Sequence, residues 1–233
     1  MAAPAQQFWV ERSDTAMGGH LGIRVVWERE LSEAQRAEVA ELLNEISARV
    51  NAWAAIATRH QPSQLTRLNA TRSAKVEIGP TIAALVAWAA DAWELTGGLV
   101  NITMLNERIA AERGTMPERE IPAERGWSLT LRSWAHRDHE HLLGGVLQRP
   151  LGLQIDLDGV GKGWIADRAV ALLERSLDAA VDAGRLPTWR SCFVNGDGDL
   201  AVRNRGGATT EISVEIPRDQ ERAIGMLTVS GAS

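Results

Sequence analysis

The chain has 233 residues, of which 45% are hydrophobic and 24% are charged. That balance is typical of an ordinary folded domain and excludes a disordered, collagenous or coiled-coil chain. The formal net charge of −5 lacks the basic excess of nucleic-acid-binding proteins, so no nucleic-acid partner is expected. The chain has nine tryptophans, no tyrosine and two lysines, Lys75 and Lys162, so catalysis by a phenol group is excluded.

The N-terminal segment and the single cysteine bear on cellular location. Cys192 stands alone, so no intrachain disulfide can form. Residues Met1–Gln7 contain no basic region, no long apolar run and no cysteine for a lipid, so the sequence as given predicts a cytoplasmic protein. Processing of the N-terminus would instead indicate a protein outside the cytoplasm. The most apolar stretch, Ile82–Trp93, contains Asp91 and is too short to span a membrane.

Hydrophobic periodicity predicts one strand and two helices in the first part of the chain. Apolar alternation predicts a strand over Leu21–Trp27. Ser32 and Gln35 have the spacing of a capping box, and apolar residues then recur at helical spacing as far as Ile56. A second helix is predicted to begin at Pro80 and to end at the Gly97-Gly98 pair.

The second part of the chain predicts several short strands and one long helix. The charged stretch Asn106–Arg125 predicts a short helix and an exposed loop, and a helix is predicted from about Trp164 to Ala180. The predicted strands are Trp127–Trp134, Leu142–Gln148, Leu151–Leu157, Cys192–Asn195, Leu200–Arg203, Glu211–Ile216 and Ile224–Val229. Because the elements interleave without strict alternation, we expect a mixed α/β (α+β) fold.

The glycine-rich segment Asp156–Gly163 has the features of a phosphate site. Two carboxylates precede the glycines, and Lys162 lies at the start of the helix that follows. Glycine lets backbone amides approach an anion, and a helix N-terminus adds a favourable partial charge. The spacing is not that of a P-loop, because Gly163 stands where a Ser or Thr would hold magnesium. The alternative interpretation is a glycine turn that only begins a helix.

Two other polar segments are interpreted as turns between strands. Asn195–Asp199 is similar to the start of a calcium loop, but Leu200 and Gly206 replace the glycine and glutamate that such a loop needs. The segment His136–His141 holds three of the five histidines, and zinc binding is the alternative there, although no cysteine completes a site. A serine hydrolase is not supported, since no Gly-x-Ser-x-Gly motif occurs.

Six short blocks, in the same order, resemble the ApbE-type FAD:protein FMN transferases. The most specific, Asp156–Asp167, is similar to that family's Asp-Leu-Gly-Gly-Ile-Ala-Lys-Gly-Tyr-Ala-Ala-Asp. The other blocks are Ala16–Gly19, Ser63–Asn69, Thr96–Thr103, Val194–Leu200 and Thr228–Gly231. The resemblance implies one domain over residues 1–233, with a T-fold-like architecture of mostly antiparallel sheet packed with helices.

The activity that the resemblance implies is a magnesium-dependent flavin transfer. Such an enzyme cleaves the pyrophosphate of FAD and attaches FMN to a Thr or Ser of a target flavoprotein, or hydrolyses FAD to FMN and AMP. Mg²⁺ would offset charge on the pyrophosphate and act as a Lewis acid. The alternatives are a catalytically impaired family member that binds FAD, and a remnant of the fold that binds no ligand.

Site residues are implied by position within the resembling blocks. Asp156 would hydrogen-bond FAD and Lys162 would approach its phosphates, so these two are the candidate catalytic residues. The backbone carbonyl of Gly159 would bind Mg²⁺. The remaining implied contacts to FAD are Met17, His60, Leu99, Val100 and Asn101.

Four departures from the family pattern bear on the activity. Asn101 replaces an Asp and removes a charge, and Asp197 replaces a Gly in the second glycine turn. Asp158 replaces a Gly beside the proposed phosphate site, which adds repulsion unless a cation lies between them. The family also has a His-x-x-Asp-Pro block and an Ala-Asp-Ala-x-x-Thr block, which supplies Asp and Thr ligands to Mg²⁺. Neither block occurs in the 233 residues, so the domain is expected to lack the metal-ligand segment.

Overall fold

A computed structural model describes residues 8–115, 125–133, 142–216 and 219–231. The chain divides into two compact units: a discontinuous unit, Met1–Val50 with Ile165–Ser233, and a central unit, Asn51–Trp164. The elements in chain order are β1 (Phe8–Ala16), β2 (Gly19–Trp27), α1 (Glu33–Ala57), α2 (Gln64–Ala70), β3 (Lys75–Ile78), α3 (Pro80–Thr96), α4 (Leu105–Glu112), β4 (Ser128–Ser133), β5 (Leu142–Gln148), α5 (Asp158–Asp182), β6 (Trp189–Gly196), β7 (Asp199–Asn204), β8 (Thr209–Ile216) and β9 (Asp219–Ser230).

The discontinuous unit contains a four-stranded antiparallel sheet in the order β1-β2-β6-β7. The side chains of Leu21, Ile23 and Val25 are fully buried, and the residues between them are more exposed or lie on the opposite face. The strand predicted over Leu21–Trp27 is therefore confirmed as β2. The strands predicted from Cys192 onward are confirmed as β6 to β9, the last two of which form a separate antiparallel hairpin.

Strand β1 has no counterpart among the predicted elements, because its inner positions are partly charged. The burial of β1 alternates from Phe8 to Ala16, but Arg12 and Asp14 occupy two of the more buried positions. Asp14 accepts hydrogen bonds from the Ser47 hydroxyl (2.7 Å) and from the Arg12 guanidinium (2.9 Å). Led by the Ser47 hydroxyl, these bonds hold the pKa of Asp14 at about 2, below its ordinary value of 3.8.

Replacing Ser47 with alanine is expected to raise the pKa of Asp14 toward 3.8. Because the folded-state pKa is depressed, the bond stabilises the fold above about pH 4, and the stabilisation is lost as the pH falls through about 2. The free energies of unfolding of the wild type and of Ser47→Ala should therefore differ at neutral pH and converge in acid. NMR titration of the Asp14 carboxyl measures the shift, and Ser13→Ala, at an exposed position of β1, is the control that should leave it unchanged.

The central unit contains a three-stranded antiparallel sheet, β3-β5-β4, with helix α3 packed in its core. Helix α3 begins at Pro80 and ends before Gly97, whose φ of 59° is the left-handed conformation of a glycine C-cap. Both ends agree with the prediction. The buried side chains of α3 that form the core are Ile82, Ala83, Ala84, Leu85, Val86, Ala89, Ala92 and Trp93.

Helix α1 also agrees with the prediction at its start. The Ser32 hydroxyl accepts from the amide of Gln35 (3.3 Å), and the Gln35 side chain accepts from the amide of Ser32 (3.1 Å). This reciprocal pair is the predicted capping box. The short helix and loop predicted over Asn106–Arg125 include α4, while residues 116–124 lie outside the described residues.

The strand predicted over Leu151–Leu157 is wrong. These residues are irregular, because the backbone of Ile155 pairs with a side chain rather than with a neighbouring strand. The Asn69 amide nitrogen donates to the Ile155 carbonyl (2.8 Å), and the Asn69 side-chain oxygen accepts from the Ile155 amide (2.9 Å). The alternation of apolar residues with Gly152, Gln154 and Asp156 has the sequence pattern of a strand, but the segment has no ladder of backbone hydrogen bonds.

The boundary of the last helix also differs from the prediction. Helix α5 begins at Asp158 rather than near Trp164, so the three glycines lie inside its first two turns instead of in a preceding turn. Trp164 packs edge-to-face on Trp53 of α1, with 5.9 Å between ring centroids.

The fold class is confirmed: the described elements are a mixture of five helices and nine strands, and all their strand pairings are antiparallel. None of the helices in the described ranges has the length and apolar character needed to cross a membrane.

Candidate functional site

The start of helix α5 is held in place by Asp156. This side chain is 7% exposed, and its Oδ1 accepts from the backbone amide of Asp158 (3.1 Å). The Asp156 amide donates to the carbonyl of Ile102 (2.7 Å), which joins the helix start to the segment that contains Asn101. Asp156 therefore caps a helix while keeping lone pairs on a second carboxylate oxygen for other donors.

Two arginines from different elements contact the carboxylates at this helix start. Arg108 of α4 lies 3.2 Å from Asp156 Oδ2 through Nη1 and 2.9 Å from Asp158 Oδ2 through Nη2. Arg59, which follows α1, lies 3.5 Å from Asp158 Oδ2 through Nε. Both guanidiniums also pair with Glu112, Arg108 at 3.2 Å. We call these five residues the arginine–carboxylate cluster.

The charges of the cluster stabilise one another. Hydrogen bonds from Arg59 and then from Arg108 lower the pKa of Glu112 below its ordinary value. Burial lowers the pKa of Arg108, but the charges of Asp156 and Asp158, together with the hydrogen bond and charge of Glu112, outweigh burial and raise it above its ordinary value. The Arg59 side chain is only 12% exposed, so its charge acts in a partly desolvated environment where electrostatic interactions are stronger than in water.

Two glycines at the start of helix α5, the exposed Gly159 and the buried Gly161, have open space where a side chain would stand. A Cβ built on Gly159 or on Gly161 would meet no atom within 4 Å, and neither glycine has a positive φ. Glycine in a helix costs about 1 kcal/mol relative to alanine. Neither packing nor backbone conformation accounts for these two glycines, whereas a ligand that approaches the backbone closely would require them.

The central unit places several predicted site residues beside this helix start. His60 is 62% exposed, and its Nε2 lies 3.9 Å from Asp158 Oδ2. Asn101 is half-buried; its side-chain oxygen accepts from the amide (2.9 Å) and hydroxyl (2.8 Å) of Thr103. The Asn101 Nδ2 donor is buried and has no protein acceptor. An unsatisfied buried donor of this kind requires an acceptor from a ligand or from water.

The other residues predicted to contact FAD or Mg²⁺ are more exposed than Asp156. Leu99 is 78% exposed, Val100 and Lys162 are half-buried, and Gly159 is exposed. Lys162 lies one turn into α5. The predicted roles of these residues toward FAD remain predictions.

Met17 lies in the discontinuous unit, whereas the other predicted site residues lie in the central unit. Met17 occupies the turn between β1 and β2 with a φ of 55°, and Asp197 occupies the turn between β6 and β7 with a φ of 61°. The two turns are neighbours: Asp197 Oδ1 accepts from the amide of His20 (3.4 Å), and a Cβ on Gly196 would lie 2.9 Å from Met17 Cε. The blocks Ala16–Gly19 and Val194–Leu200, which resemble the family, thus meet at one end of the four-stranded sheet.

The sequence prediction missed Arg59, Arg108 and Glu112. The i, i+4 spacing of Arg108 and Glu112 on a charged helix is visible in the sequence, but it predicts only a local ion pair. Their approach to Asp156 depends on the tertiary fold. The segment His136–His141, considered as a zinc-binding alternative, lies outside the described residues.

The described residues around Gly159 do not fit a magnesium ion. Within residues 8–115, 125–133, 142–216 and 219–231, no three His, Cys, Asp or Glu side chains are grouped as a metal site. Asp156 and Asp158, the carboxylates adjacent to Gly159, are paired with arginines instead. A hard divalent cation needs several oxygen ligands, and two carboxylates that are already charge-paired with guanidiniums do not supply such a set.

Comparison with known proteins shows which structures share this fold. The chain is similar to an ApbE protein from Thermotoga maritima, with 18% identity and a TM-score of 0.64 over 96% of this chain and 68% of that one. It is similar to the flavinyl transferase ApbE of Pseudomonas stutzeri, with 20% identity and a TM-score of 0.59 over 98% and 67% of the two chains. It is also similar to the flavin transferase ApbE of Vibrio cholerae, with 19% identity and a TM-score of 0.54 over 96% of this chain and 68% of that one.

These likenesses confirm the predicted ApbE architecture, and the chain spans about two thirds of the length of each of these proteins. No curated protein sequence matches the chain. The sequence profile of the ApbE family matches residues 17–233, which is nearly the whole chain. The protein is therefore a member of the ApbE family.

Proposed function

We propose that this protein binds FAD and transfers its FMN moiety to a Thr or Ser side chain of an acceptor flavoprotein. Membership of the ApbE family supports the proposal, as do the similar structures of flavinyl and flavin transferases. The observation that carries it is the open space at the Cβ positions of Gly159 and Gly161 at the start of α5, which follow the carboxylate of Asp156. A helix N-terminus with no side chains in the way suits a phosphate-containing ligand.

Each proposed contact uses a group with spare bonding capacity or suitable charge. Asp156 keeps acceptor positions for ribose or flavin donors of FAD, because a carboxylate offers about four lone-pair sites. The buried Asn101 Nδ2 would gain an acceptor from FAD. Lys162 would place a compact positive charge near the phosphates, where negative charge accumulates as the phosphoryl group is transferred. Leu99, Val100 and His60 complete the proposed contacts in the central unit.

The transfer exchanges one phosphorus–oxygen bond for another. The acceptor hydroxyl oxygen forms a bond to the phosphorus of the FMN half, and the bond from that phosphorus to the bridging oxygen breaks. AMP leaves with the bridging oxygen, and the hydroxyl proton is released. Water in place of the hydroxyl gives hydrolysis of FAD to FMN and AMP. The dependence on Mg²⁺ implied by the resemblance remains a prediction that the assay below tests.

A second function, binding of FAD without turnover, is favoured by one observation. Asp156 and Asp158 are paired with Arg108 and Arg59, and the described residues around them do not fit a metal ion. A chain with this arrangement could hold the dinucleotide and leave its pyrophosphate intact.

Incubation of the purified protein with FAD separates the two functions. The protein is incubated with FAD and Mg²⁺, and in parallel with EDTA, and the mixture is chromatographed for FMN and AMP. Equimolar FMN and AMP, or FMN attached to an added acceptor protein, support the transferase. Bound FAD that is recovered intact supports the binding protein, and failure to bind FAD under either condition contradicts both.

The Asp156→Ala variant checks the location of the site. We expect weaker FAD binding, by about tenfold, because one or two charge-assisted hydrogen bonds are lost. Titration of flavin fluorescence gives the affinity, and circular dichroism shows whether α5 persists without its cap. An unchanged affinity would place the FAD site elsewhere.

A further inference from the structure

Asp158 places a negative charge at the start of α5, where the proposed function places the phosphates of FAD. A carboxylate beside a diphosphate weakens binding unless a cation lies between the two groups. The sequence leaves the source of that cation open. The arginine–carboxylate cluster provides one from the chain itself.

Arg108 is positioned to neutralise Asp158. Its Nη2 lies 2.9 Å from Asp158 Oδ2 and its Nη1 lies 3.2 Å from Asp156 Oδ2, so one guanidinium spans both carboxylates. A guanidinium remains charged at every physiological pH, and its planar donors suit two carboxylate oxygens at once.

Arg59 adds a second, more buried charge from another part of the central unit. Its Nε lies 3.5 Å from Asp158 Oδ2 and 3.9 Å from Asp156 Oδ1 and makes no hydrogen bond. Glu112 pairs with both guanidiniums and thereby holds two arginines of like charge near the same carboxylates. The five residues thus form one connected ion-pair network rather than isolated surface ion pairs.

We propose that Arg59 and Arg108 are the built-in counter-cations of this site, so that FAD binds at the start of α5 without a divalent cation. The inference rests on the proposed function and concerns binding alone. Arg108 acts through Asp156 and Asp158 and is a positioning residue. Mg²⁺ is then unnecessary for affinity, whatever its part in the transfer.

The experiment measures FAD affinity by calorimetry and by flavin fluorescence, once in EDTA and once in Mg²⁺. We expect the two dissociation constants of the wild-type protein to agree within about twofold, since the repulsion is already neutralised. A wild-type affinity that falls about tenfold or more in EDTA would overturn the inference while leaving the proposed function intact. No FAD binding in either buffer would overturn the proposed function and the inference together.

Charge removal makes the test specific to the cluster. Arg108→Gln is expected to weaken FAD binding about tenfold in EDTA and less in Mg²⁺, because a free cation then replaces the missing guanidinium. In the double variant Arg108→Gln/Asp158→Asn, the affinity in EDTA should return to within about threefold of the wild type, because the uncompensated carboxylate is gone as well. A double variant that binds no better than the single one would overturn the proposal.

The matched control is Arg132→Gln. Arg132 also pairs with a carboxylate in the central unit, Glu77, at 2.9 Å, but both side chains are largely exposed and neither belongs to the cluster. The FAD affinity of Arg132→Gln should equal that of the wild type in EDTA and in Mg²⁺. A loss equal to that of Arg108→Gln would show that any lost arginine weakens binding, which contradicts the role given to the cluster.

Discussion

Replacing Gly159 with alanine is expected to stabilise the protein and, at the same time, to weaken its binding of FAD. Gly159 is exposed in the first turn of α5, and a Cβ there would meet no atom within 4 Å. Alanine loses less backbone entropy in a helix, so the variant should gain about 0.5–1 kcal/mol in free energy of unfolding. Gly161→Ala should have an effect of the same sign, because its Cβ position is equally open.

The loss of affinity follows from the proposed approach of a phosphate to this backbone. A methyl group in the path of a closely bound ligand typically costs about 1–3 kcal/mol, which corresponds to a loss of affinity of about fivefold to a hundredfold. Urea denaturation and titration of flavin fluorescence on the same preparation measure the two effects. A substitution that damaged the fold would lower both quantities together, so opposite changes identify a glycine kept for a ligand.

Ala179→Gly provides the reverse change on the same helix. Ala179 is an exposed residue of α5 that belongs to the discontinuous unit. The variant should lose about 1 kcal/mol of stability and keep the wild-type FAD affinity. If instead Gly159→Ala and Gly161→Ala both bind FAD as the wild type does, the phosphates do not approach the backbone of the first turn of α5.

The sequence predicted those elements whose own residues determine them. The apolar alternation of Leu21–Trp27 and the Pro80 and Gly97 boundaries of α3 are local signals, and both agree with the structure. Strand β1 escaped prediction because Arg12 and Asp14 occupy inner positions, where their partners come from β1 itself and from α1. A strand with charged residues on its inner face can be predicted only when the element that forms hydrogen bonds with those residues is known.

The candidate site likewise contains residues that are close in the sequence and residues that only the tertiary fold brings together. Asp156, Gly159 and Lys162 belong to one contiguous block, so their proximity could be predicted from the sequence. Arg108 reaches the same carboxylates from α4, a contact between residues far apart in the chain. At the loop after α1, the sequence prediction chose His60, whereas the more buried side chain near Asp156 is that of its neighbour Arg59. Side-chain direction in an irregular loop has no periodicity from which it could be inferred.

Asn69→Ala is expected to have the largest effect on stability of the changes considered. The Asn69 side chain is bonded to both backbone groups of Ile155, a residue with no exposed surface. Alanine would leave a buried amide and a buried carbonyl without partners, at about 1–3 kcal/mol each. The free energy of unfolding should therefore fall by about 2–5 kcal/mol, measured by urea denaturation with tryptophan fluorescence.

FAD binding should weaken in the same variant, because Ile155 directly precedes Asp156 and the segment loses the anchor that the Asn69 side chain provides. The bonds from the Asp156 amide to the Ile102 carbonyl and from Gln154 Nε2 to the Asn69 backbone carbonyl remain. Asn69→Asp is the milder variant: its carboxylate still accepts from the Ile155 amide but cannot donate to the carbonyl, so its loss of stability should be intermediate. That variant keeps the prediction testable if Asn69→Ala fails to fold.

The matched control for this prediction is Asn44→Ala. Asn44 is an exposed asparagine on α1 whose side chain accepts from Arg12, so its loss should change stability by no more than about 0.5 kcal/mol. If Asn69→Ala is no more destabilising than Asn44→Ala, the Asn69 amide does not hold the irregular segment in solution. The absence of a strand at Leu151–Leu157 would then need a different cause, because the side chain that replaces the ladder would contribute nothing measurable to the fold.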